Sequence, residues 1–179
     1  MKTEQTNEFE KELMKSCIMN RTFGVPEVTI GWYGHRRVDF MEINTKGIIR
    51  CYEIKVTKHD FRSKHGHSFL GHYNYYVMPE KLYQEVRDEI PYHVGVFVEG
   101  LRQVKKARRC AVKDLENMKL YIIRSMSREV KKAFESVDVA ELTYWRSQCS
   151  YLKKKNAEYY RRMNEAEREL KRCTRLGKK

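Results

Sequence analysis

The apolar positions change period several times along the chain, and each change marks an element. Phe9, Leu13, Cys17 and Ile18 recur at helical spacing within residues 7–21, which predicts an amphipathic first helix with Asn7 as its N-cap. Gly24 and Pro26 end that pattern. Val28, Ile30 and Trp32 share one face of residues 27–33, a strand. Runs 37–43 and 47–56 flank Asn44-Thr45-Lys46-Gly47, turn residues that predict an antiparallel hairpin. Residues 57–70 lack a period and read as a loop or short helix. A fourth strand is expected over 73–78, stopped by Pro79. Leu82, Val86 and Ile90 then place a helix over 80–90, and the apolar run 92–98 reads as a buried strand parallel to its neighbour.

Two long helical patterns follow a basic loop or edge strand at 99–113. Leu115, Met118, Ile122, Met126, Val130 and Phe134 recur every three or four residues, a helix packing on the core or a partner. From Leu142 the steps run 3, 4, 3, 4 through Trp145, Cys149, Leu152, Asn156, Tyr159, Met163, Ala166, Leu170 and Cys173. That heptad puts Asn156 at an a position, where an amide specifies a two-stranded register. It predicts a homodimer through a coiled coil; the alternative is a helix folded back on its own domain. The expected organisation is a core over 1–113, a packing helix over 114–136 and a dimerisation helix over 137–179.

Charge divides the chain differently. Of 179 residues with net charge +13, the first hundred hold 14 basic and 14 acidic side chains, and the rest hold 23 and 10. A basic half points to an anionic partner, DNA first, with a merely solvated helix as the alternative. Candidate phosphate contacts are Lys58, Arg62, Lys64, Lys105, Lys106, Arg108, Arg109, Lys153, Lys154, Lys155, Arg161 and Arg162. The five cysteines are scattered without C-x-x-C spacing, which suits a reducing compartment. With no apolar stretch of signal-peptide or membrane-spanning character, a cytoplasmic protein is expected. His59, His65, His67 and His72 match no zinc-finger spacing. Tyr73, Tyr75 and Tyr76 suit packing more than base stacking.

The hairpin concentrates the chemistry. Asp39 lies on its first strand, and Glu53 and Lys55 share a face of its second because side chains alternate. Two carboxylates facing each other on an apolar sheet repel and lose hydration, and a divalent cation relieves both costs. Oxygen ligands, including the carbonyl of Ile54, suit Mg²⁺ or Mn²⁺. With Lys55 orienting water or stabilising charge on a phosphate, the set fits phosphodiester cleavage.

Val38-Asp39 followed by Glu53-Ile54-Lys55 resembles the D…ExK core of the PD-(D/E)xK nuclease superfamily, with Val38 where that signature often has proline. Pro26-Glu27-Val28-Thr29-Ile30, Arg36-Arg37-Val38-Asp39, Glu53-Ile54-Lys55-Val56 and Asp60-Phe61-Arg62 are similar to the MmcB-like DNA repair branch and its phage relatives. The likeness spans residues 8–98 and does not reach the C-terminal third. It implies an α/β, restriction-endonuclease-like core (α-β-β-β-α-β, mixed sheet), with Asp39 and Glu53 as metal ligands and Lys55 as catalytic lysine. A further acid in such sites would come from Glu8, Glu12 or Glu27; Asp60 and Arg62 match the branch pattern. The expected function is a metal-dependent DNA endonuclease or nickase. The alternative is an inactive nuclease-fold binder of nucleic acid or nucleoprotein, such as a phage anti-CRISPR protein dimerising around Cas9 in the host cytoplasm.

Overall fold

In the computed structural model, which describes residues 3–31, 36–63, 66–136 and 139–176, helix α1 (Glu4–Asn20) opens the chain. Its N-cap is Thr3, whose hydroxyl accepts the Thr6 N–H at 3.2 Å, so the helix starts before the expected Asn7. Phe9, Leu13 and Cys17 form its buried face. Strand β1 (Phe23–Ile30) begins earlier than the 27–33 pattern suggested. Gly24 allows this: a Cβ there would lie 2.5 Å from Cys17 Sγ and 2.8 Å from Phe40 Cζ, so only glycine lets β1 run this close beneath α1. Pro26 is tolerated because β1 is an edge strand. Trp32 and Tyr33 lie outside the described residues.

The protein is α/β, with a six-stranded mixed sheet in the order β1 to β6 and two long C-terminal helices. Strands β2 (Arg36–Ile43) and β3 (Ile49–Ile54) form the expected antiparallel hairpin. Its turn is shaped by the Asn44 side chain, which accepts the N–H groups of Lys46 and Ile48 at 3.0 and 2.9 Å. Strand β4 (Tyr73–Val77) joins β3 in parallel through α2 (Lys58–Arg62) and the loop after it. Strand β5 (Gly95–Val98) joins β4 in parallel through α3 (Glu80–Val86) and a 3₁₀ turn at Arg87–Glu89. The buried strand expected over 92–98 is thus only its second half. A turn closed by the Val94 N–H to Pro91 carbonyl bond, 3.0 Å, takes the first half out of the sheet. Strand β6 (Arg102–Lys105) is the antiparallel far edge.

Alternation divides the sheet between two faces. Phe40, Tyr52, Ile54, Tyr75 and Val77 pack with α1. On the other face, Met41, Ile49 and Cys51 cluster with Met118 and Ile122 of helix α4 (Leu115–Ser136), while Tyr76, Met78 and Val96 cluster with Phe61 of α2 and Leu82 and Val86 of α3. Arg124 of α4 donates to the carbonyls of Thr29 and Gly31 at 2.6 and 2.9 Å, and Arg128 to that of Glu27 at 2.7 Å. These bonds satisfy acceptors on and just after an edge strand that would otherwise need water. Glu27 sits there at φ 54, a left-handed backbone held by that contact.

Two compact units divide the chain, Met1–Val130 and Lys131–Lys179. The second contains helix α5 (Val139–Leu176), the element in which the heptad pattern falls. Among the described residues no helix is long and apolar enough to cross a membrane.

Candidate active site

The site begins where two strands part. β2 and β3 pair from Ile43–Ile49 to Phe40–Tyr52 and no further, although Asp39 and Glu53 follow next. In place of a backbone partner, the Ile54 N–H donates to Asp39 Oδ2 at 2.9 Å. On its other side β3 stays joined to β4, the Lys55 N–H reaching the Val77 carbonyl at 2.9 Å. Successive residues of a ladder turn their polar groups to opposite sides, so both the N–H and the C=O of Ile54 face the gap beside Asp39.

Glu53 is fully buried in that gap. Its Oε1 accepts the Ser68 N–H at 3.1 Å, whereas its Oε2 is buried without a hydrogen-bond partner. The Asp39 and Glu53 carboxyls interact with one another. Burial first, then the adjacent Asp39 charge, pushes Glu53 up to a pKa of about 8. Burial also raises Asp39, opposed by the Ile54 N–H and by Lys55. Without a cation the pair therefore retains a proton at neutral pH. Lys55 is only 3% exposed, and its ammonium donates to the Asp60 carbonyl and Oδ1 at 3.2 and 3.4 Å. Asp60 thus belongs to the site as the group that aims the lysine.

The loop within residues 57–70, expected to run beside the site, completes it. Gly66, at φ 74, passes so close that a Cβ would lie 2.6 Å from Lys55 Nζ and 3.1 Å from Glu53 Oε2. His67 holds this loop: its Nε2 donates to the Ser63 carbonyl at 2.8 Å, and its Nδ1 is hydrogen-bonded to the Tyr76 hydroxyl at 2.6 Å. Phe61, Phe69 and Tyr76 surround the imidazole edge-on. The signal was the Gly-His-Ser run at 66–68, too short to carry a role by itself.

The remaining candidates are distributed unevenly. Glu8 is exposed, Glu12 buries an unpartnered Oε2, and Glu27 lies 3.8 Å from Arg37. Among the described residues no three His, Cys, Asp or Glu side chains are grouped to hold a metal. Lys58 pairs with Glu85 at 3.2 Å and Arg62 with Glu89 at 2.6 Å. Lys105 donates to the carbonyls of Ile90 and Pro91 at 3.1 and 2.8 Å, which commits it to structure. Lys106, Arg108 and Arg109 are exposed, and Lys64 lies outside the described residues. Tyr75 and Tyr76 are buried and Tyr73 half-buried, the packing role expected of them.

On α5, Lys153, Lys154, Lys155 and Arg161 are exposed, and Arg162 pairs with Glu158 at 2.7 Å. Trp145, Leu152, Tyr159 and Met163 are each 56–57% exposed and Asn156 is exposed. The side chains of Leu142 and Leu170 lie outside the described residues.

No protein-family profile matches the chain, and no curated protein matches it. Among solved structures, the fold is similar to the SPO1766 protein of unknown function from Silicibacter pomeroyi, with a TM-score of 0.53 and 17% identity over 65% of this chain and 80% of that one. The likeness is one of fold.

Proposed function

We propose that the chain is a metal-dependent DNA endonuclease or nickase with a restriction-endonuclease-like core of the PD-(D/E)xK type. The observation that carries this reading is the parting of β2 from β3, which puts Asp39, the buried Oε2 of Glu53 and the polar groups of Ile54 around one gap beside Lys55. The donors fit a hard divalent cation. They are oxygens, one is unsatisfied, and both carboxyls are held above their ordinary pKa, so ionising them needs positive charge nearby. Asp39, Glu53 and the Ile54 carbonyl would hold Mg²⁺ or Mn²⁺. When bound, such an ion supplies Lewis acidity toward a phosphate and a more acidic water.

The chain's own residues do the rest. Lys55, aimed by Asp60, presents a buried ammonium to the charge that builds on the phosphate during attack, and burial strengthens that interaction. Asp39 keeps the strands apart by taking the Ile54 N–H. The basic α5 supplies phosphate contacts and, through its heptad, a coiled-coil dimer.

A second reading, an inactive binder of nucleic acid or nucleoprotein such as an anti-CRISPR protein acting on Cas9, is favoured by one observation. Ser68 and Gly66 close the loop directly over Glu53 and Lys55. Plasmid nicking with Mg²⁺ or Mn²⁺ separates the two. Glu53→Ala and Asp39→Ala should each lose more than ~100-fold in cleavage, beyond what outer partners of a metal ligand contribute, while keeping DNA affinity. No nicking by wild type, with binding retained, selects the second reading; equal loss of affinity and cleavage removes these residues from the chemistry.

A further inference from the structure

The turn that shortens β5 leaves Tyr92 73% exposed, an unusual exposure for a large ring beside a buried strand. A basic segment is fastened against it. The Arg108 N–H donates to the His93 carbonyl at 3.0 Å and the Cys110 N–H to that of His72 at 2.8 Å. So placed, Arg108 sets its guanidinium 5.4 Å from the centre of the Tyr92 ring. Lys106, Arg108 and Arg109 are exposed and form no salt bridge among the described residues, in contrast to Lys58 and Arg62. Two exposed cations, Lys106 and Arg109, thus flank in sequence the arginine that stands over the exposed ring.

Ring contacts connect this surface to the acid pair. Tyr92 lies against His93 at 5.3 Å, His93 against Phe69 at 6.2 Å, and Phe69 against Tyr76 at 5.1 Å. The residue before Phe69 is Ser68, which donates to Glu53, and Tyr76 is the register partner of Glu53. Tyr92 is thus joined through His93 and Phe69 to the loop that carries Ser68.

We propose that Tyr92 and Arg108 form a stacking site for an unpaired base, with Lys106 and Arg109 on the neighbouring phosphates. The DNA taken by this protein is then single-stranded or frayed. This rests on the DNA-binding part of the proposed function. The chemistry is a phenol face and a guanidinium plane, both of which stack on any base without reading its edge. Bases inside an intact duplex are already stacked and do not reach the ring; an acidic protein surface would use the cations but not the phenol.

The test is fluorescence anisotropy with labelled dT₂₀ and a duplex of equal length, in EDTA so that no cleavage occurs. Tyr92→Ala should weaken dT₂₀ binding roughly 5- to 100-fold, as loss of one base–aromatic stack does, and leave duplex binding within about twofold. Tyr92→Phe, which keeps the ring, should bind dT₂₀ as wild type does. Unchanged dT₂₀ binding by Tyr92→Ala, or equal losses on both probes, overturns the stacking site. If that happens while Glu53→Ala still abolishes nicking, the nuclease reading stands alone. Wild type binding neither probe overturns the stacking site and the DNA-binding reading together.

Discussion

The sheet unit and α5 use the same residue types under opposite conditions. In the sheet unit Tyr52, Tyr75 and Tyr76 are buried, and Glu53 and Lys55 are ionisable groups taken out of water. On α5, Tyr151, Tyr159 and Tyr160 are more than half exposed and the lysines and arginines stand in solvent. Burial therefore raises the proton affinity of Glu53 and of the three tyrosines, and Lys55 has a fixed partner in Asp60. On α5 the same chemistry remains uncommitted until something covers the helix.

Truncation breaks or sharpens that contrast most strongly. Phe40 is wholly buried beneath α1, so Phe40→Ala should cost ~3–5 kcal/mol, lowering the melting temperature by roughly 10 °C in a chain of this size. Leu152→Ala on an uncovered helix should stay within ~0.5 kcal/mol. Urea denaturation at two protein concentrations is the readout. If Leu152→Ala costs as much as Phe40→Ala at high concentration and little at low, a second copy covers α5. If it costs nothing at either, the coiled coil is wrong.

A smaller effect isolates the buried acids. Glu53 rises from an ordinary 4.5 to about 8 on folding, so between those pH values the native state binds more protons than the unfolded one. Stability must then fall as pH rises through that window, and Asp39 acts in the same direction. In EDTA, the melting temperature should decline from about pH 5 to about pH 9. The accompanying loss of stability should reach up to a few kcal/mol, at ~1.4 kcal/mol for each pH step over which the native state holds one extra proton. Glu53→Gln should flatten the decline, because the amide fills the site without titrating. A wild-type profile already flat there would mean the pair is not buried as described.

How far these features were legible follows the same division. Period-two and period-3.6 patterns located the hairpin, the α3 crossover and both long helices, because each buries one continuous face. The shared face of Glu53 and Lys55 was readable from alternation. Three features were not. Thr3 outcompeted Asn7 as a cap, Pro91 drew Tyr92 out of an apolar run, and the Gly66–Ser68 loop reached Glu53 across 15 residues of sequence. The first two rest on local bonds three residues apart that compete with equally good local alternatives, and only the third depends on a partner set by tertiary placement. Charge was legible only in sum: a sequence shows that Lys58, Arg62 and Lys105 are basic, but not that Glu85, Glu89 and two carbonyls already hold them.

The smallest stability change addresses the second unit directly. Asn156 occupies an a position in a row otherwise made of Cys149, Met163 and their neighbours, and it is exposed on the single chain. An amide there lowers the stability of a dimer but rejects registers and stoichiometries in which it meets a leucine or cysteine instead of its own counterpart. Asn156→Leu should therefore strengthen association while broadening it, from one dimer to a mixture with higher oligomers, as read by sedimentation velocity. The sheet unit should register nothing: its urea midpoint and its pH profile stay as in wild type, because residue 156 lies outside that unit. A protein that is monomeric before and after the substitution, with unchanged unfolding, would leave α5 as a solvated basic helix whose apolar positions serve some contact other than its own copy.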